Sequence, residues 1–399
     1  MFYDKPIFFE QNRVYRVYTG GKLFAGFFGD NSEDSFYPEE WVASPVKAMN
    51  KNSSGPKEGV SKLLGEDLYF DDALKTYKQE MLGSRNDLGF LVKVLDSGIR
   101  LPVQAHPTKE FSRKYFHSEY GKAESWVILG LRENAKLYFG FQDGVTIEEF
   151  KAAVEKSEYD KEAMVGLIRE VNVEKGDVLF IPAGAVHAIG YGCLILEVQE
   201  PTDFTIQPER WCGDVKLSDY EMYLGIDKET AFTCFDFEHK VQGKVKAQVI
   251  EKTEQFQYES LIGKQQTDCF RVNRINASGT ISISICNCSG SEGSFGVPIC
   301  SCSGSEGSSG VPICSCSGAQ DSSESPSSST ILGSKTSKEA VPSTFSNSTS
   351  EDGSNTSTVE ARVSLKLIRL LRFPVSSSKS AHLSSFFVST ARSPPPFSY

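Results

Sequence analysis

The chain has 399 residues, 39% of them hydrophobic and 24% charged, and a net charge of −10. That is enough sequence for one large domain or two smaller ones, each with a buried core. An acidic balance with no basic run before residue 270 argues against a dedicated nucleic-acid binder. No apolar stretch reaches the ~18–20 residues of a membrane span, and no charged-then-apolar leader opens the chain, so the expected location is cytoplasmic.

Residues 6–44 hold short aromatic runs broken by Gly20-Gly21 and Gly29-Asp30-Asn31, a pattern of strands and turns. Glu66 to Leu82 has helix-like composition. So does Thr146 to Val171, expected as two short helices broken near Glu158-Tyr159. Between and after them strand signals dominate: Phe90–Asp96, Leu101–His106, Ser125–Leu131, Ala135–Phe141, Asp177–Ile181, Ala185–Ile189 and Leu194–Gln199. Closely spaced short strands with Gly/Pro turns predict a mainly β, antiparallel sandwich or barrel with a small helical insertion at about 146–170.

The character of the chain changes near residue 285. Fourteen residues from Ile285 to Pro298 recur almost unchanged from Ile299 to Pro312, and a third copy stops near Gly318. Six of the ten cysteines lie here in three Cys-x-Cys pairs, a spacing tighter than structural zinc sites use. A Ser/Thr-rich stretch follows, then a segment from Ala361 with six Lys/Arg and no acid. Arg362 to Phe373 matches a short basic amphipathic helix, but the composition is chiefly that of a disordered tail. The expected organisation is a metal-binding domain at 1–225, a partial β-rich segment at 226–285, repeats at 286–318 and a low-complexity tail at 319–399.

Three segments carry chemistry. In Leu101-Pro-Val-Gln-Ala-His-Pro107, strand alternation turns Gln104 and His106 to one side. In Gly121-Lys-Ala-Glu-Ser-Trp126, Glu124 opens a strongly apolar strand, either as an exposed strand-end charge or as a buried carboxylate that demands a counter-charge such as a divalent metal. In Gly176-Asp-Val-Leu-Phe-Ile-Pro182-Ala-Gly184-Ala-Val-His187, the spacing Gly, five residues, Pro, one residue, Gly, two residues, His follows the second cupin motif. Imidazole, carboxylate and amide oxygen together make a mixed N/O site suited to zinc, and the absence of thiolates favours a catalytic role.

Together these segments resemble the class I mannose-6-phosphate isomerases, which belong to the cupin superfamily of jelly-roll folds. Gln104-Ala-His106-Pro matches that family's Gln-x-His-Pro segment, Lys122-Ala-Glu124 its Lys-x-Glu segment, and His187 its late histidine. The likeness extends to Pro6-Ile-Phe, Glu40-Trp41 with Ser44, Phe90 to Asp96, Glu197-Val-Gln199 and Asp203, and weakly to about residue 285. It implies one zinc ion on Gln104, His106, Glu124 and His187, and interconversion of mannose 6-phosphate and fructose 6-phosphate through a cis-enediol. It further implies Lys122 as a catalytic lysine, Glu197 as a catalytic carboxylate lining the pocket, and Lys93 and Trp41 as substrate-binding candidates.

The family's sugar-phosphate arginine falls on Gln207 here. Gln207 is therefore a substrate-binding candidate, and Arg210, three residues on, is the candidate replacement for the guanidinium. Pro102 and Tyr191 stand where the family often has Ser and Asn. A cupin that binds a sugar or sugar phosphate through the same metal without turnover remains the alternative reading. A metal-dependent dioxygenase is disfavoured by the Gln104/His106 pairing.

Overall fold

Runs such as Leu91-Val-Lys-Val-Leu-Asp96 and Cys193-Leu-Ile-Leu-Glu-Val-Gln199 are apolar at both odd and even positions, which suits strands covered on both faces. The computed structural model describes residues 1–4, 7–51, 55–238, 243–278 and 382–390. In chain order the strands are β1 Arg13–Val14, β2 Glu39–Val42, β3 Leu91–Asp96, β4 Glu124–Leu131, β5 Leu137–Phe141, β6 Ile168–Val171, β7 Val178–Ile181, β8 His187–Ile189 and β9 Cys193–Gln199. A short hairpin pairs β10 Trp211–Cys212 with β11 Val215–Lys216, and β12 Gln248–Lys252, β13 Phe256–Ile262, β14 Phe270–Ser278 and β15 His382–Thr390 follow.

One sheet runs β1-β2-β3-β9-β4-β7, and a smaller one runs β6-β5-β8. All recorded pairings in them are antiparallel. The inner face of the large sheet sends Leu95, Trp126, Ile128, Leu179, Ile181 and Ile195 into a core shared with Phe139 and Ala188 of the small sheet. Its outer face sends Val92, Val94, Val127, Leu196 and Val198 into a second core. That core is closed by helix Phe70–Thr76 and by Leu261, Ile262, Phe270 and Val272 of the C-terminal sheet. This is the mainly β, two-sheet architecture that the strand pattern calls for.

Differences from the sequence expectation are local. Leu101–His106 is not a continuous strand: Gln104 and Ala105 make separate bridges to His187 and Ile206. The 146–171 region holds one helix, Ile147–Lys156, opened by a Thr146/Glu149 capping box. Its second half becomes a single 3-10 turn at Val165–Leu167 and then β6, because Ile168 and Val171 extend the small sheet.

The C-terminal sheet runs β12-β13-β14-β15. β15 comes from the stretch expected to be without structure, and it pairs antiparallel with the whole of β14, from Phe270↔Thr390 to Ser278↔His382. The Cys-x-Cys repeats, the Arg362–Phe373 segment and Pro6 lie outside the described residues. Among the described residues no helix is long and apolar enough to cross a membrane.

Candidate metal centre

The inner face of the large sheet is where the polar residues gather. Cross-strand register aligns Trp41 with Lys93, Lys93 with Glu197, and Glu197 with Trp126. Two residues further along the strands, Glu124 stands opposite both Gln199 and Ile181. Alternation therefore places Lys93, Glu197 and Glu124 on one face of three adjacent strands. All three are buried.

Loops complete the site. Gln104 and His187 exchange backbone hydrogen bonds of 2.9 Å, and the Gly184 N–H donates to the His106 carbonyl at 2.7 Å. Gly184 has φ of 85° and Gly176 has φ of 95°, values that favour glycine at the turns before and after β7. Gly121 meets a different demand: a Cβ there would lie 2.5 Å from the Pro107 carbonyl oxygen. That close approach fixes the Lys122 segment, whose N–H donates to the same carbonyl.

His106, Glu124 and His187 place one ligand atom each within 4.8 Å of one another, with all three residues buried. Glu124 Oε2 is 3.2 Å from His106 Nε2, and Glu124 Oε1 is 3.5 Å from His187 Nε2. The far nitrogen of each ring is committed to backbone, Nδ1 of His106 to the Phe204 carbonyl at 3.0 Å and Nδ1 of His187 to the Ala185 carbonyl at 2.9 Å. An Nδ1–H donated to carbonyl leaves the Nε2 lone pair facing the cluster, the arrangement that orients metal-ligating histidines. Glu124 Oε2 and His187 Nε2 have no hydrogen-bond partner among the described residues. Two buried acceptors left this way fit a cation between them, and the donor set fits zinc.

The electrostatics agree. Burial, reinforced by Lys122, pushes His106 down to about 3, and burial likewise lowers His187, so both rings are neutral. Burial alone would raise Glu124, but the positive charge of Lys122 beside it acts the other way, and its carboxyl lies below the usual range. For the metal-free protein the sign is fixed: a histidine whose folded pKa lies below its unfolded value costs stability once pH falls below the unfolded value. Stability from His106 should be level above pH ~6.5 and fall as pH drops from there toward about 3, with His187 adding a loss of the same sign. Urea melts of chelated wild type and His106→Gln between pH 8 and 4 should show the variant losing less across that window; parallel losses would contradict the assignment.

Glu124 is the member of the cluster that lines a cavity of about 200 Å³, together with Gln104, Lys122, Lys93, Glu197 and Gln207 among others. Lys122 Nζ is 3.1 Å from His106 Nε2 and 3.4 Å from Glu124 Oε2. Lys93 Nζ lies 3.1 Å from Glu197 Oε1 and 3.6 Å from Glu39 Oε2. Burial and the nearby Glu124 push Glu197 up to about 8 against the pull of Lys93 and Lys122. Lys93 itself is raised, because Glu197 and Glu39 together outweigh burial.

Two candidates lie elsewhere. Trp41 is fully buried and donates Nε1–H to Glu39 Oε2 at 2.6 Å. It packs beneath Arg16 and Lys93, with its ring 5.2 and 5.9 Å from their charges, and does not line the cavity. Arg210 does not line it either. Its guanidinium pairs with Glu158 at 2.9 Å and Asp219 at 2.9 Å and donates to the Leu217 carbonyl, held there by the β10–β11 hairpin. Gln207 does line the cavity, with Nε2 donating to the Glu221 carbonyl.

Arg16, Tyr18 and Glu39 also line the cavity, and no sequence motif marks them. Glu39 accepts from Tyr18 Oη at 2.5 Å and pairs with Arg16 at 3.1 Å, and Arg16 also pairs with Asp203 at 2.9 Å. Burial would raise Glu39, but Arg16 and Lys93 hold it far below the carboxylate range. The one available signal was that Glu39 shares the inward register of Trp41 on β2.

No family model matches the chain. A probable mannose-6-phosphate isomerase of Bacillus subtilis, GmuF, is 32% identical over 202 residues, 50% of this chain and 59% of that protein. The mannose-6-phosphate isomerase of Streptococcus mutans is 30% identical over 203 residues, 50% of this chain and 59% of its own. Over about half of its length this chain is similar to curated mannose-6-phosphate isomerases. It spans less than two thirds of the length of these curated isomerases. Its fold is that of a crystallised mannose-6-phosphate isomerase of Bacillus subtilis, with a TM-score of 0.54 at 21% identity over 69% of this chain and 81% of that one.

Proposed function

We propose that the chain is a zinc-dependent, cytoplasmic isomerase that interconverts mannose 6-phosphate and fructose 6-phosphate through a cis-enediol. One observation carries the reading: Glu124, which sits between His106 and His187 in the buried cluster, lines one cavity together with Gln104, Lys122, Lys93 and Glu197. Zinc would be held by Gln104, His106, Glu124 and His187, and when bound it supplies Lewis-acid stabilisation of negative charge on the sugar oxygens.

The remaining work falls to protein groups. Aldose–ketose exchange removes a proton from C2 of the sugar and returns one to C1. It therefore needs a group able to hold a proton near neutral pH, and a fixed positive charge facing the developing enediolate. Glu197, displaced to about 8, suits the first role. Lys122, buried beside the cluster, suits the second or shares the proton transfer. Lys93 holds Glu197 in place through their 3.1 Å ion pair.

An enediol route leaves a mark. Fructose 6-phosphate formed in D2O should carry solvent deuterium at C1. Product free of deuterium after many turnovers would instead indicate direct hydride transfer and remove the proton-carrier role.

A further inference from the structure

We propose that Lys51, at the rim of the cavity, is the cation that receives the phosphate of the substrate; this rests on the sugar-phosphate reading above. The cations lining the cavity are Arg16, Lys51, Lys93 and Lys122. Arg16 is taken up by Glu39 and Asp203, and Lys93 by Glu39 and Glu197. Lys122 faces Glu124 and His106. These inner charges balance one another, so none is free to compensate a dianion.

Lys51 differs from them. It is exposed and makes no ion pair among the described residues. The loop carrying it is nevertheless fixed against the cavity wall. The Met49 N–H donates to Asp203 Oδ2 at 2.8 Å, Arg16 donates to Asn50 Oδ1 at 3.0 Å, and Asn50 Nδ2 donates to the Tyr15 carbonyl at 2.9 Å. The buried Arg16–Asp203 pair thus serves as an anchor for the rim. It places a free ammonium at the mouth while the chemistry proceeds below. With Arg210 drawn away by Glu158 and Asp219, and an amide at Gln207, no arginine other than the neutralised Arg16 lines the cavity among the described residues.

The test uses the full-length, zinc-loaded chain and three variants: Lys51→Ala, Lys51→Arg and Lys47→Ala, the last altering an exposed lysine of the same loop that does not line the cavity. Calorimetric titration with inorganic phosphate and with mannose 6-phosphate should weaken roughly tenfold for Lys51→Ala, the scale of one charge-assisted contact. Lys51→Arg should recover most of the affinity, Lys47→Ala should match the wild type, and KM should rise by more than kcat falls. Wild-type affinity for both ligands in Lys51→Ala would overturn the assignment. Turnover of the wild type is recorded in parallel: its absence would sink the isomerase reading, while the phosphate titration still decides Lys51.

Discussion

Replacing His106 or His187 with alanine should leave the protein without stoichiometric zinc and lower turnover by at least ~10²–10³-fold, the loss expected when one preorganised electrostatic stabiliser is removed. Each ring contributes one Nε2 to a buried cluster and is aimed by its own carbonyl partner, so neither replaces the other. The substitution also leaves Glu124 in a buried site with one neighbour fewer. Burying a carboxylate without its partners is destabilising, so thermal unfolding should move down as metal is lost. Elemental analysis with a melting curve on the same sample separates metal loss from global unfolding. Full zinc content in either variant would contradict the assigned ligands.

Lys122→Met should retain zinc and fold but lose ~10²–10⁴-fold in kcat, the range of a positioned acid–base or charge-stabilising group. The lysine is buried, and its Nζ reaches His106, Glu124 and, at 3.5 Å, the Thr205 hydroxyl. A methionine of similar shape removes the charge and keeps the packing. The loss should appear in kcat and kcat/KM together, because on the proposed enediol route the charge matters most when the enediolate forms. A variant that changes KM alone would make Lys122 a binding residue and leave Glu197 as the chief proton carrier.

The metal cluster was legible in the sequence because its residues sit in short fixed spacings that local geometry enforces. Gly176, Pro182 and Gly184 dictate turns, and Gly121 permits a backbone approach that no side chain would allow. The strands were legible through their apolar runs, and so was the mainly β class. The second half of the cavity was not. Arg16 and Glu39 lie on different segments and meet each other and Asp203 only when the chain folds, so no local pattern announces their pairing. Arg210 seemed able to replace a guanidinium because three residues is a small shift along a loop. In space, the β10–β11 hairpin and two carboxylates hold it elsewhere.

β15 was illegible for a related reason. Its pairing with β14 is set by a partner separated from it by residues 279–381, and the serine-rich sequence around it resembles a tail that never orders. Long-range strand pairing leaves no short-range trace.

The account stands or falls on one measurement: metal content and mannose-6-phosphate turnover of the purified full-length chain, before and after chelation. It predicts about one equivalent of zinc, fructose 6-phosphate as product, loss of turnover with the metal and recovery on adding zinc back. A chain that holds zinc and binds the sugar phosphate but yields no product would be a binding protein built on the same site, and one that holds neither metal nor substrate would contradict the account at its root.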